Sequence, residues 1–197
     1  MTYDTTESSV RLRQYTLEDC TIHEANPDAP DDRFNFFGFP VPGRLRRLVE
    51  SGEVFPKPGD VHGRLAIEAD GDYIGGVSWH PEHYGPIQAP AINFGITLLP
   101  KARGKGYGTE AQRLLVAYLF ATTTVFRIEA ATDVENIAEQ RALEKAGLLR
   151  EGVLRGSHYR EGTYNDMVIY AITRADFEAA RKAASAAKVT TGFSASR

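Results

Sequence analysis

The sequence predicts a single α+β domain, and three observations predict it. Short alternating apolar runs of strand type recur along the chain, separate stretches carry helical spacing, and a glycine-rich turn joins one strand to one helix. The 197 residues suit one domain or at most two small ones, and suffice to bury a core without disulfide or metal. The spacing places the domain at residues 10–177, after a polar flexible leader at 1–9 and before an Ala-rich tail at 178–197.

Each element follows from local pattern. Val10 and Leu12 alternate with Arg11 and Arg13, which predicts a strand. Leu17 to Ala25 suits a short helix, Pro27 to Pro42 a loop dense in prolines and aromatics, and Leu45 to Glu50 a second helix. Phe34, Phe36, Phe37 and Phe39 in that loop are either core or the wall of a substrate pocket. Leu65–Ala69 and Tyr73–Trp79 read as strands joined by the hairpin signal Asp70-Gly71-Asp72. Residues 80–90, with Pro81, Pro86 and Pro90, read as a loop, and Ile92, Phe94 and Ile96 then alternate in a strand. Ala111, Leu114, Leu115, Tyr118 and Leu119 recur at helical spacing. Ile128 and Ala130 mark the next strand, and a helix from about Asn136 to Ala146 stops at Gly147. Strands near Leu148–Leu154 and Met167–Ile172 follow, and from Glu178 a short helix frays into the tail. There is no internal repeat.

Composition excludes several classes. A formal charge of -3 argues against a general nucleic-acid binder, which needs a basic surplus. No apolar run reaches the roughly 20 residues that cross a bilayer, and Met1 to Ser9 lacks the apolar stretch of a signal peptide. The single cysteine, Cys20, permits no internal disulfide and reads as a small buried residue. A cytoplasmic protein is expected, with neither nucleic acid nor membrane as partner.

The chemistry is concentrated in Arg103-Gly104-Lys105-Gly106-Tyr107-Gly108. A strand, a glycine-rich turn and a helix together bind anions: small residues let the backbone approach closely, and unpaired N–H groups at the helix start point at the guest with the macrodipole behind them. Arg103 and Lys105 add cations, so the natural guest is a phosphate or pyrophosphate. Two rival motifs fail. No lysine stands in the register of a Walker-type loop, and the turn runs Gly-x-Gly-x-Gly where a dinucleotide fingerprint needs Gly-x-Gly-x-x-Gly.

Here the chain resembles a known family. Arg103-x-x-Gly106-x-Gly108, preceded by Ile92–Leu98 and Leu99-Pro100, is similar to the central motif of the Gcn5-related N-acetyltransferases (GNAT). Asp133-Val134-Glu135-Asn136, then Arg141 to Leu148, resembles the helix after that family's fifth strand. Glu151 to Arg155 and Asp166 to Tyr170 resemble the branch containing the ribosomal-protein N-terminal acetyltransferases. The resemblance covers residues 60–175 strongly and 10–60 weakly. It implies a GNAT-like mixed central sheet of about six to seven strands flanked by helices, and acetyl-CoA as cosubstrate. It further implies that Arg103, Gly104, Lys105, Gly106, Tyr107 and Gly108 hold the CoA pyrophosphate. Leu98 and Leu99 would pair with the pantetheine arm, with Asn136 beside it, where strands near 92–98 and 126–131 splay apart. Transfer would be direct, from thioester to deprotonated amine, without metal.

Two positions depart from that family's pattern. Asn93 stands where a glutamate is common, and an amide cannot act as general base. Glu139 stands where relatives often carry a serine placed to protonate the leaving thiolate; Asn136-x-x-Glu139 also reads as a capping box, the reading favoured here. Replacement candidates are His80, Glu82 and His83 in the loop after the third strand, a histidine being able to take an amine proton near neutrality. Tyr159, with His158, follows the sixth strand and is a candidate donor to the thiolate. The acceptor is a small-molecule amine or a protein N-terminus. A CoA-binding regulatory module without catalysis is the alternative that Asn93 leaves open. Proteins of this kind often pair through edge strands, which makes a homodimer a candidate assembly.

Overall fold

The computed structural model describes residues 9–27, 34, 41–86, 88–160 and 162–192, without the side chains of 187–192. Its strands are β1 (Val10–Arg13), β2 (Gly63–Ala69), β3 (Asp72–Glu82), β4 (Ala91–Leu98), β5 (Arg127–Asp133), β6 (Leu149–Arg160) and β7 (Thr163–Thr173). Its helices are α1 (Leu17–Ala25), α2 (Arg44–Ser51), α3 (Tyr107–Thr122), α4 (Ile137–Lys145) and α5 (Arg174–Gly192). The strands form one sheet in the order β1-β2-β3-β4-β5-β7-β6. β4 and β5 are parallel, and the other neighbouring pairs are antiparallel. This is the mixed sheet flanked by helices that the resemblance implied.

Alternation along the strands divides two core layers. On one face Ile67, Val77, Ile92, Phe94, Ile128 and Tyr170 pack against Ala111, Leu115 and Leu119 of α3 and Leu143 of α4. On the other, Ala66, Tyr73 and Leu99 pack against Tyr15, Cys20 of α1 and Val49 of α2. Cys20 is buried there, as expected from the sequence. α1 is fixed by a reciprocal cap between Thr16 and Asp19, and Arg13 grips the Asp19 carboxylate at 2.6 and 2.9 Å while also bonding Glu68.

Three sequence expectations need correction. His80 and Glu82 lie in strand β3, not in a loop: β2 ends opposite Trp79, but β3 goes on pairing with β4 as far as Glu82 and Ala91. With one side free of a strand partner among the described residues, this segment accommodates Pro81. His158 and Tyr159 likewise lie within β6, whose hairpin with β7 is longer than the apolar alternation suggests because β6 is a largely exposed edge strand. The terminal helix is long. It begins at Arg174 behind a reciprocal Thr173–Asp176 cap and runs to Gly192, so the boundary at 177/178 cuts through it. Alanine, read as tail composition, is also the strongest helix former. Phe36, Phe37 and Phe39 lie outside the described residues.

Candidate active site

The parallel pairing of β4 with β5 is short, with Ile92 opposite Ile128 and Asn93 opposite Glu129. Beyond that point β5 stays with β7 as far as Asp133 and Met167, whereas β4 stays with β3 as far as Leu98. The sheet therefore forks. From Phe94 to Leu98, β4 has no strand partner on its β5 side among the described residues, so its backbone offers an edge with which an extended ligand can pair.

The fork opens towards the glycine-rich turn. After the single 3-10 turn Pro100–Ala102, Gly104 and Gly106 take φ of +72° and +85°, the left-handed region that favours glycine. Gly106 is the N-cap of α3 and has no side chain to offer; the first intrahelical bond runs from the Glu110 N–H to the Gly106 carbonyl at 3.2 Å. The N–H groups of Tyr107, Gly108 and Thr109 are thus left for an external acceptor. A Cβ on Gly104 or Gly106 would meet nothing within 4 Å, so the space beside both is open. It belongs to a cleft of about 450 Å3 running along Ile96, Leu98, Arg103, Gly104, Gly106 and Gly108. The far wall is one face of α4, with Ala138, Arg141, Ala142 and Lys145 at positions i, i+3, i+4 and i+7. Two alanines keep that face low and two cations flank it. Among the described residues, three cations against the single carboxyl of Glu139, beside bare helix-start amides, suit a polyphosphate guest. Removing two of them in Arg141→Gln/Lys145→Gln is expected to weaken CoA binding about three- to tenfold at low salt, and less at high salt, as for exposed charge pairs. Titration calorimetry at two ionic strengths measures this, and an affinity indifferent to both substitutions contradicts the assignment.

A row of polar residues crosses the sheet where the fork begins. His80 stands opposite Asn93, and Asn93 opposite Glu129. Asn93 Nδ2 donates to Glu129 Oε1 at 3.3 Å, and the Tyr84 hydroxyl donates to the same oxygen at 2.8 Å. Glu129 is 1% exposed, and Arg127 holds its other oxygen at 2.7 Å while bridging to Glu151. Desolvation of the Tyr84 hydroxyl, reinforced by the Glu129 carboxylate, pushes its pKa up to about 12, so near neutrality it stays a donor. His80 is exposed at the end of the row.

The sequence pattern of the acetyltransferase (GNAT) domain matches residues 9–149. The chain belongs to the GNAT family. The Bacillus subtilis (strain 168) protein named Probable N-acetyltransferase YjcK is 35% identical over 141 residues, 71% of this chain and 76% of its own. Spermidine N(1)-acetyltransferase of Escherichia coli (strain K12) is 26% identical over 88% of this chain and 91% of its own. Among solved structures, spermidine N-acetyltransferase from Vibrio cholerae in complex with CoA and spermine superposes with a TM-score of 0.67 at 19% identity, covering 86% and 98% of the two chains. The likeness to that structure is one of fold. Family and relatives together make this GNAT chain an acetyl-CoA-dependent N-acetyltransferase.

Within this GNAT domain the expected residues separate. Leu98, Arg103, Gly104, Gly106, Gly108 and Asn136 line the cleft. Leu99 does not: as the odd residue of the alternation it is buried on the opposite face, and its N–H donates to the Ile74 carbonyl at 2.8 Å. The Tyr107 side chain turns to Asp70, which accepts its hydroxyl hydrogen at 3.0 Å, and the exposed Lys105 is not part of the cleft wall. Glu82 faces the His80 side of the sheet near the end of β3 and accepts the His83 N–H, while His83 is exposed. Tyr159 packs against the tilted ring of Tyr164, centroids 5.1 Å apart, and stands apart from the cleft. That hairpin is anchored by a buried Asp133–Arg160 pair, closed at 2.9 Å without the alignment of a hydrogen bond, with Phe34 over the guanidinium at 5.5 Å.

The capping box is half formed. Asn136 Oδ1 accepts the Glu139 N–H at 3.3 Å, but the Glu139 side chain does not return the bond; it enters the cleft wall and accepts from Gln112 Nε2 at 2.7 Å. Burial pushes its pKa up to about 7, against the opposing pull of Gln112. Arg141 and Lys145 were legible as one helical face once α4 was placed. Tyr84 and Glu129 carried no local signal, because only the pairing of β4 with β5 brings them to Asn93.

Proposed function

We propose that this enzyme acetylates a primary amine by direct transfer at the fork between β4 and β5, with His80 taking the proton of the amine. The observation that carries the reading is the row His80–Asn93–Glu129, which crosses the sheet where β4 and β5 part; the cleft at the glycine-rich turn runs along Leu98 and Ile96, the stretch of β4 that follows this row. Acetyl-CoA supplies an acyl thioester, a carbonyl carbon open to a neutral amine: the C–N bond forms, the C–S bond breaks, and the CoA thiolate leaves and takes a proton from solvent. The turn and the α4 cations hold phosphate, and the unpaired β4 edge aligns the extended arm. Unpaired β4 N–H groups polarise the carbonyl without reorganising. Asn93 cannot accept a proton as the commoner glutamate does, so the exposed imidazole one strand away takes that part, directly or through one water. A small-molecule amine or a protein N-terminus is the acceptor; polyamines, the acceptor class in the names of two relatives, belong in the same test panel. A cytoplasmic setting goes with this reading, as does a homodimer through an edge strand.

The test is thiol release from acetyl-CoA with a panel of amines and mass detection of the products. His80→Ala is expected to lower kcat by about a hundredfold or more, the usual contribution of a general base, while CoA affinity stays at the wild-type value. Full activity in His80→Ala removes the residue from the mechanism, and CoA binding with no turnover on any amine removes the transfer reading.

A further inference from the structure

On the face of the sheet opposite α3, a cavity of about 760 Å3 lies between α1, α2 and the end of β4. Leu98 lines both this cavity and the cofactor cleft, so the two adjoin across the last residues of β4. Among the described residues its charges do not balance. Glu24 is held by Arg46 at 2.7 Å, whereas Arg44 and Arg64, also in the wall, have no ion pair or side-chain hydrogen bond among the described residues. Arg64 is partly buried, and burial, with a lesser contribution from the neighbouring Arg44, disfavours its charged form against the opposing pull of Tyr15. A guanidinium drawn out of water without a counter-ion is costly, and a second beside it adds repulsion; one anion relieves both.

Strand register connects these cations to the fork. Arg64 stands opposite Ser78, and Ser78 opposite Gly95, the residue two beyond Asn93. The Cα of Arg64 is therefore two strand spacings, about 10 Å, from the fork. The intervening Ser78 and Gly95 are small, so no bulky side chain stands between Arg64 and β4 in this row.

We infer that this cavity receives the acceptor, and that the acceptor carries a carboxylate or phosphate a few bonds from its amine, held by Arg44 and Arg64. This rests on the acetyl-transfer reading and narrows it: an amino acid or amino phosphate fits, and a polyamine is repelled by both cations.

Initial rates with glycine, glycinamide, O-phosphoethanolamine, ethanolamine and spermidine test it. The anionic member of each matched pair is expected to exceed its uncharged partner in kcat/KM by at least about tenfold, the worth of one charge-assisted hydrogen bond. The two anionic arms separate carboxylate from phosphate. In Arg64→Gln and Arg44→Gln that preference collapses through KM, and Arg64→Lys recovers part of it. Circular dichroism checks that the variants fold. Equal rates within the pairs, a preference for spermidine, or a preference unaltered in both variants overturns the inference. Should no amine be turned over, calorimetric titration of the two anionic amines into the CoA-loaded protein decides: binding lost in Arg64→Gln sustains the anion site although the transfer reading has failed, and no binding to the wild type overturns it.

Discussion

Gly106→Trp binds CoA at least about a hundredfold more weakly than the wild type, a loss of about 2.7 kcal/mol at 1.4 kcal/mol per factor of ten, and remains folded. Two features of the position combine. Its φ of +85° costs any L-residue on the order of 1–2 kcal/mol, which a domain with a stability of about 5–15 kcal/mol absorbs. The open space beside its Cα is the cleft itself, so an indole there occupies the ground that the pyrophosphate needs. Gly106→Ala separates the two causes, since it carries the same backbone strain without the bulk. We expect a loss of stability similar to that of the tryptophan variant but a much smaller loss of affinity. Gly108→Val acts by another route: its Cβ would meet Leu98 Cδ1 at 3.3 Å and press that side chain into the cleft. Melting curves with and without CoA, and calorimetric titration, measure both quantities. CoA affinity preserved in both the tryptophan and the valine variants would show that this turn does not hold the cofactor.

Glu139→Gln raises stability at pH 8 and leaves it nearly unchanged at pH 4.5. The sign follows from proton counting. The Glu139 carboxyl has its pKa raised by burial from an ordinary 4.5 to about 7, so between those values the folded state binds more protons than the unfolded one. Stability then falls as pH rises through that window and is flat above it. The penalty at pH 8 is at most ~3 kcal/mol, a melting difference on the order of 5–10 °C for a chain of this size. The neutral amide of the variant escapes it. Gln112 adds a structural reason: its Oε1 is buried and accepts no hydrogen bond among the described residues, and either a protonated carboxyl or an amide at 139 has a hydrogen to offer it. The same substitution removes the one carboxylate that lines the anion-binding cleft among the described residues, so CoA binding at pH 8 should tighten. A melting difference between variant and wild type that is equal at pH 5 and pH 8 would contradict the raised pKa.

The two residues differ in how far the sequence announced them. Gly106 was legible because its requirement is local: a residue between strand and helix with positive φ and bare amides ahead of it leaves a glycine wherever it occurs. Asn136 was legible as a helix start for the same reason. Glu139 was misread because its spacing from Asn136 fits a cap, whereas the competing partner, Gln112, lies 27 residues away on another helix. Leu99 was misplaced by attending to its neighbourhood with Leu98 rather than to the alternation that turns the two to opposite faces of the sheet.

The sequence by itself determined most of the elements and the glycine-rich turn, because these depend on contacts within a few residues: apolar alternation for strands, helical spacing for α3, and glycine where a left-handed bend carries free amides; the family was legible from the resemblance of its motifs. Only the tertiary structure decided where β4 leaves β5, that His80, Asn93 and Glu129 share one row, and that Arg44 and Arg64 meet in one cavity. Those placements depend on strand register, which is set by the summed packing of both sheet faces; a slip of one residue would send each of these side chains to the other side.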